Sequence, residues 1–271
     1  MITLTALNIY PVKSCRGIAL ERAIVTRTGL AHDREWLITR PNGNFVTQRE
    51  EPRLALITTA LTDDALILNS PEAGTLEIAL AARGAAVQVK CWGTPCAAFD
   101  AGDQAAAWLE THLGKPHRLV RFNPEHRRLG SPDWTQGIEA PTQFADEFQF
   151  LVISQASLDD LNGRLPKPLP MNRFRPNLVV DGLEPYGEDQ LHEIGTGQIG
   201  LRVVKPCIRC IITTTDQHTA QRDPAEPIKT LRGYRFNKEM RGVMFGQNCV
   251  LVRGAGQELR VGDQLETTRK S

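Results

Sequence analysis

The sequence predicts a β-rich α+β fold built as two units with a few helices, and three observations predict it. Short β-favouring runs punctuated by Gly, Pro, Asn and Asp recur through the first ninety residues, a spacing typical of barrels and sandwiches. One stretch, 101–114, changes to the helical period. After a polar segment rich in Arg, His and Pro at 121–142, a second series of short apolar runs carries the chain to its end. The chain has 271 residues, a length that suits about two small domains. They are expected at 1–120 and 121–271.

Each element has its own signal. Residues 3–10 partly alternate apolar and polar side chains, as a half-buried strand does. Runs 36–39 and 45–47 flank Arg40-Pro41-Asn42-Gly43-Asn44, and an Asn-Gly pair between two strands signals a hairpin. Runs 54–59, 66–68, 76–80 and 86–89 read as further strands. Ala105, Ala106, Trp108, Leu109 and Leu113 share one helical face, and Gly114 stops it. Segment 121–142 reads as a long surface loop or a domain connection. A strand follows at 148–153, and Ser157 is expected to cap a helix carrying Leu158, Leu161 and Leu165. Strands are expected at 177–180, 198–204, 211–214, 250–252 and 259–265, with a short helix at 227–234. The sequence has no internal repeat and no low-complexity segment.

Composition excludes several classes. Apolar residues make up 41%, enough for a real core. Lys plus Arg number 32 against 31 Asp plus Glu, a net charge of +1. The chain lacks the basic excess of a non-specific nucleic-acid binder, so no nucleic-acid polymer is expected as a partner. A balanced total still permits a local basic cluster. Apolar runs such as 150–153 and 178–180 fall far short of the roughly 20 residues of a membrane span. The start, Met1-Ile2-Thr3-Leu4-Thr5, has no basic n-region or long apolar run, and a cytoplasmic protein is expected. The six cysteines, at 15, 91, 96, 207, 210 and 249, read as free or metal-binding thiols rather than disulfides.

Four short groups carry chemistry. Cys207 and Cys210 sit with Lys205 and Arg209 in a basic segment, where positive charge favours the thiolate that binds metals. Arg173 and Arg175 flank Phe174, so in an extended chain both guanidinium groups project to one side; such a pair suits phosphate. Lys13 and Ser14 lie in Tyr10-Pro11-Val12-Lys13-Ser14-Cys15-Arg16-Gly17, which can hold an anion but lacks the glycines of a P-loop. Asp33-Arg34-Glu35-Trp36 is a charged run before a strand. Singly, each looks ordinary: buried thiols, solvated charges or turns.

Their order is more specific. Tyr10-Pro11-Val12-Lys13-Ser14, Asp33-Arg34, Phe144-Ala145-Asp146, Ser154-x-x-Ser157-Leu158, Phe174-Arg175-Pro176-Asn177, Lys205-Pro206-Cys207-x-Arg209-Cys210, Glu226-Pro227-x-Lys229-Thr230-Leu231 and Phe245-Gly246-Gln247-Asn248 resemble, in that order, segments of MOSC-domain proteins. The resemblance runs from residue 3 to about 265. It is strongest to the bacterial two-domain members that reduce N-hydroxylated bases and to amidoxime-reducing components. It implies an N-terminal MOSC β-barrel-like domain followed by a MOSC β-barrel domain, and an enzyme carrying the molybdenum cofactor in its molybdopterin form. In that family one protein thiolate completes the attachment of the metal. The matching position is Cys210, with Cys207 a neighbour, and a soft thiolate suits a thiophilic metal.

The resemblance further implies that Lys13, Ser14, Arg34 and Arg175 meet the pterin phosphate. It assigns Asp146, Ser154 and Asn177 to the pterin, and makes Arg175 a candidate to stabilise charge on the departing oxygen. The substrate would be a small N-hydroxylated molecule. Some bacterial relatives carry a C-terminal ferredoxin domain with four spaced cysteines. Only Cys249 lies beyond Cys210 here, so a separate electron-donor protein is expected. Two other roles fit the same pocket: a sulfur carrier or transferase using a Cys210 persulfide, and a non-catalytic carrier of the cofactor.

Overall fold

A computed structural model describes residues 1–270. Seven strands close into a barrel: β1 (Ile2–Ile9), β2 (Phe150–Ser154), β3 (Leu178–Asp181), β4 (Leu191–Gly195), β5 (Gly200–Ile208), β6 (Gly242–Arg253) and β7 (Gln264–Arg269). Their order around the barrel is β2, β3, β1, β7, β4, β5, β6, and β6 returns to β2. The first strand of the chain is therefore built into a barrel whose other strands all follow residue 149.

A closed ring with an odd number of strands cannot be antiparallel throughout. The one parallel pair is β2 with β3, Val152 opposite Leu178. Parallel neighbours need a crossover, here helix α2 (Gln155–Arg164) and the loop leading to β3. The barrel interior is filled by Leu4, Leu7 and Ile9 of β1, Phe150 and Val152 of β2, Leu178 and Val180 of β3, and Leu201 and Val203 of β5. A bulge between Leu4 and Ala6 shifts the β1 register, which lets Leu4 and Leu7, three apart, both face inward. It explains why β1 alternates only in part.

The remaining strands form smaller sheets. Trp36–Thr39, Arg118–Phe122, Thr94–Asp100 and Ala86–Cys91 make one, and Thr58–Leu61, Ala65–Ser70 and Gly74–Ala79 a second. Helix α1 (Asp103–Leu113) packs Ala105, Trp108, Leu109 and Leu113 on Trp36, Leu54 and Leu66. Gly114, left-handed, ends it as expected, donating to Glu110 O at 2.7 Å. Leu109 alone, fully buried, is worth roughly 1.5–3 kcal/mol over an exposed position.

Five local expectations are corrected. Residues 54–59 begin as a 3-10 turn, Pro52–Leu56, before the strand Thr58–Leu61, because Pro52 sets the helical φ and lacks a ladder N–H. Residues 45–47 form one isolated bridge, Phe45 to Thr39, not a strand. Residues 211–214 are a 3-10 turn; the Thr213 and Thr214 hydroxyls donate to carbonyls three residues back, at 3.0 and 2.8 Å, giving the backbone an alternative to a ladder. Residues 259–265 split into Glu258–Arg260 and the start of β7. Ser157 does not cap α2, because the helix starts two residues earlier, after Ser154.

Ser157 serves the buried Glu188 instead. Its hydroxyl donates to Glu188 Oε2 at 2.7 Å and accepts the Tyr186 N–H at 2.8 Å. Glu188 also accepts the Ser154 N–H at 3.3 Å. Burial pushes the Glu188 carboxyl up, and the Ser157 hydrogen bond only partly opposes it. A carboxyl that holds its proton more tightly folded than unfolded stabilises the fold fully below the ordinary glutamate value of about 4.3. That contribution is lost as pH rises through the raised value. Glu188→Gln should therefore reduce the decline in Tm seen above about pH 5, measured by thermal unfolding across a pH series.

Candidate functional site

The parallel pair gathers the candidate residues. β1 runs antiparallel to β3, with Leu7 opposite Leu178, so the segment after β1 lies beside the starts of β2 and β3. Lys13 and Ser14 follow β1, Asp146 precedes β2, and Arg175 and Asn177 precede β3. The bulged end of β5 brings Cys207, Arg209 and Cys210. Together with Arg34, these residues line one cleft of about 220 Å³.

Asn177 locks this junction. Its Oδ1 accepts the Leu151 N–H at 3.2 Å and Arg34 Nη1 at 3.0 Å, and its Nδ2 donates to Asn8 O at 3.1 Å. One buried amide thus ties the segments around β1, β2 and β3 to a cleft cation. Beside it, two guanidinium groups lie over the Tyr10 ring, Arg34 at 4.3 Å and Arg175 at 4.2 Å from its centroid. The Tyr10 hydroxyl donates to Pro176 O at 3.0 Å, and its N–H donates to Asp33 Oδ1 at 2.8 Å. Burial pushes the Tyr10 phenol up to about 12, against the pull of both arginines. Burial, together with the like charge of Arg34, brings Arg175 down to about 10, which leaves it charged at neutral pH.

Three cleft residues hold unusual backbones. Ser14, Arg34 and Arg175 have φ of 70°, 51° and 56°. The left-handed region costs a residue with a Cβ roughly 1–2 kcal/mol, and such strain collects where a site over-determines the chain. At Arg175 it also corrects the expectation that Arg173 and Arg175 project together. Met171–Arg173 is a 3-10 turn, so the segment is not extended. Arg173 turns away to Thr214 O and Asp216 Oδ2, both at 2.8 Å. Arg175 reaches Cys15 O at 2.8 Å.

Lys13 is buried and donates to Phe144 O at 2.7 Å and to Asp146, whose carboxylate is exposed at the cleft mouth. Desolvation raises the Asp146 carboxyl, but Lys13, with Arg49 and Arg34, holds it well below the usual carboxylate range. The two thiols differ. Arg209 donates to Cys207 Sγ at 2.9 Å and to Phe174 O at 2.5 Å. Burial still pushes the Cys207 thiol up, with Arg209 opposing it. Cys210, half-buried on the cleft wall, is free of that contact. Cys15, Cys91, Cys96 and Cys249 are fully buried, and burial raises Cys15 to about 12.

Ser154 is not brought into the cleft. It ends β2 inside the protein, fully buried, and its Oγ has no hydrogen-bond partner. Conversely, Thr47 and Arg49 line the cleft although their stretch, Val46-Thr47-Gln48-Arg49-Glu50-Glu51, gives no local sign of a site.

Residues 1–116 match the MOSC N-terminal beta barrel domain, and residues 139–266 match the MOSC domain. The chain belongs to the MOSC family. Mitochondrial amidoxime-reducing component 1 of Homo sapiens is 36% identical over 279 residues, covering 97% of this chain and 82% of the relative. The Mus musculus protein of that name is 35% identical over 276 residues, with 97% and 81% covered. Mitochondrial amidoxime reducing component 2 of Bos taurus is 35% identical over 243 residues, with 86% and 72% covered. In this MOSC chain, no helix among the described residues is long and apolar enough to cross a membrane.

The ring of Tyr10 is the platform for two cleft cations, and its removal should show in stability. Tyr10→Leu is expected to cost about 2–4 kcal/mol, through lost packing and two lost cation–π contacts. Tyr10→Phe, which loses one hydrogen bond, is expected to cost about 1 kcal/mol. Urea unfolding of both variants measures the difference.

Proposed function

We propose that this protein is a molybdenum-cofactor-dependent reductase of N-hydroxylated compounds, drawing electrons from a separate donor protein. The observation that carries the reading is the half-buried Cys210 thiol in a cleft dominated by cations. Lys13, Arg34, Arg49, Arg175, Lys205 and Arg209 face it, against the carboxylates Asp146 and Glu147. That donor set suits a thiophilic metal attached to a doubly charged anion. Among the described residues no group of three or more His, Cys, Asp or Glu side chains is placed to hold a metal ion. A metal held here by one thiolate would need the rest of its ligands from a larger bound group. The amidoxime-reducing relatives supply the substrate class.

Cys210 Sγ would hold the metal, and Lys13, Ser14, Arg34 and Arg175 would meet the phosphate. Asp146 and Asn177 would face the polar edge of the pterin. When bound, the cofactor supplies two-electron redox chemistry. An N-hydroxylated amidine takes up two electrons and two protons, its N–O bond breaks, and amidine and water leave. Arg175, which lies over the Tyr10 ring, would stabilise negative charge on that oxygen. Arg209 holds Cys207, and that contact would leave Cys210 as the thiol free for the metal.

The test is metal and pterin analysis of protein from a cofactor-competent host, followed by benzamidoxime reduction with an artificial donor. Molybdenum should co-purify and turnover should exceed the blank. Cys210→Ser should lose nearly all retained molybdenum and all turnover, while Cys207→Ser keeps the metal. Protein without molybdenum overturns the reading, and loss of metal in Cys207→Ser alone would assign the wrong thiol.

A further inference from the structure

Five of the six cleft cations are engaged by the protein itself. Lys13 is bound to Phe144 O and Asp146, Arg34 to Asp33 and Asn177, Arg175 to Cys15 O, Lys205 to Glu147, and Arg209 to Cys207 and Phe174 O. Arg49 is the exception: among the described residues its guanidinium makes no hydrogen bond and no ion pair. Its backbone is nonetheless anchored. The Arg49 N–H donates to Thr47 Oγ1 at 3.1 Å, and Arg222 Nη2 donates to Arg49 O at 2.8 Å.

The side chain lies on the Trp92 ring, 4.7 Å from its centroid. A guanidinium held over a ring by cation–π attraction, with no hydrogen bond of its own, keeps N–H groups for a planar or tetrahedral oxyanion. Trp92 is itself held in place. It sits at the tip of the hairpin joining Ala86–Cys91 to Thr94–Asp100, with φ of 55° followed by Gly93 at 79°. Such two-residue turns favour Asn or Asp before Gly, and a bulky side chain there is an outlier. Phe45 packs against it at 5.1 Å between centroids, and Trp92 Nε1 donates to Asp146 at 3.2 Å. Trp92 stays 47% exposed. The hairpin thus carries a strained, exposed aromatic to the cleft mouth, where it supports the one unengaged cation.

We infer that Arg49, stacked on Trp92, is an oxyanion-binding residue at the mouth of the cleft, taking a phosphate or carboxylate group. The inference deepens the proposed function and rests on it for the origin of the oxyanion. Asp146, the nearby carboxylate, attracts Arg49 through space and opposes an incoming anion, but its hydrogen bonds go to Lys13 and the Trp92 N–H rather than to Arg49.

The test titrates the full chain, prepared without cofactor, with inorganic phosphate by calorimetry, alongside Trp92 fluorescence. Arg49→Gln should bind phosphate about tenfold more weakly than wild type. Arg49→Lys should fall between them, since an ammonium lacks the planar fork. Trp92→Ala, which removes the platform and no charge, should weaken binding about threefold. In protein from a cofactor-competent host, less retained cofactor in Arg49→Gln assigns the oxyanion to the cofactor phosphate. A larger fall in kcat/KM for 4-carboxybenzamidoxime than for benzamidoxime assigns it to the substrate, and either result supports the site. A wild-type chain that binds no phosphate, or an Arg49→Gln chain within about twofold of wild type, overturns it. Failure of the molybdenum reading would show as wild-type protein without molybdenum and leave this titration standing.

Discussion

Closing seven strands into a ring forces one pair of neighbours to run parallel, and the cleft depends on where that pair falls. It falls between β2 and β3. Their connection must cross the barrel, and it returns through residues 173–177 before β3 begins. Had β2 and β3 run antiparallel instead, the start of β2 would not sit beside the start of β3. Asp146 would then be remote from Arg175 and Asn177, which the antiparallel pairing of β1 with β3 brings to Lys13 and Ser14. The local fixings reinforce this topology: Asn177 bonds to Leu151, Asn8 and Arg34 at once, so the packing of three strands and the position of a cation are one arrangement.

Bringing Arg34 and Arg175 over one ring places like charges close together. Tyr10 offsets part of that repulsion through the negative faces of its ring, and Asp33 pairs with Arg34. What remains is a positive field fixed by the fold before any ligand arrives. Preorganised charge of this kind stabilises an anion without reorganisation at the moment of binding or reaction. The left-handed backbones at Ser14, Arg34 and Arg175 are the local cost, carried by the rest of the barrel.

Much of this was legible in the sequence where a signal is local. The Gly114 stop, the helical face of Trp108 and Leu109, and the ordered short motifs all mark what the structure contains. The Asn42-Gly43 turn is present, with Gly43 at a φ of 79°, but the strand expected after it is a single bridge. The misreadings occur where a long-range partner overrides a local pattern. Thr213 and Thr214 favour strands by type, yet their hydroxyls close a 3-10 turn. Ser154 lies in a matching motif but ends inside the protein, beside Glu188. The divergence of Arg173 and Arg175 needs the φ of Arg175, which no spacing encodes. Arg49 was invisible because its only distinguishing features are a ring 43 positions away in sequence and the absence of a partner.

The net charge of +1 shows the same limit in reverse. A nearly neutral total describes the average surface, while six of the 32 cationic side chains line one cleft with two carboxylates. Those six come from segments spread between residues 13 and 209, so no window of the sequence contains the cluster. Folding creates it, and the hydrogen bonds that fix five of its members also fix its direction. The framework of the barrel sets the field at the floor of the cleft, while Arg49, stacked but unbonded at the mouth, is the member left to respond to what enters.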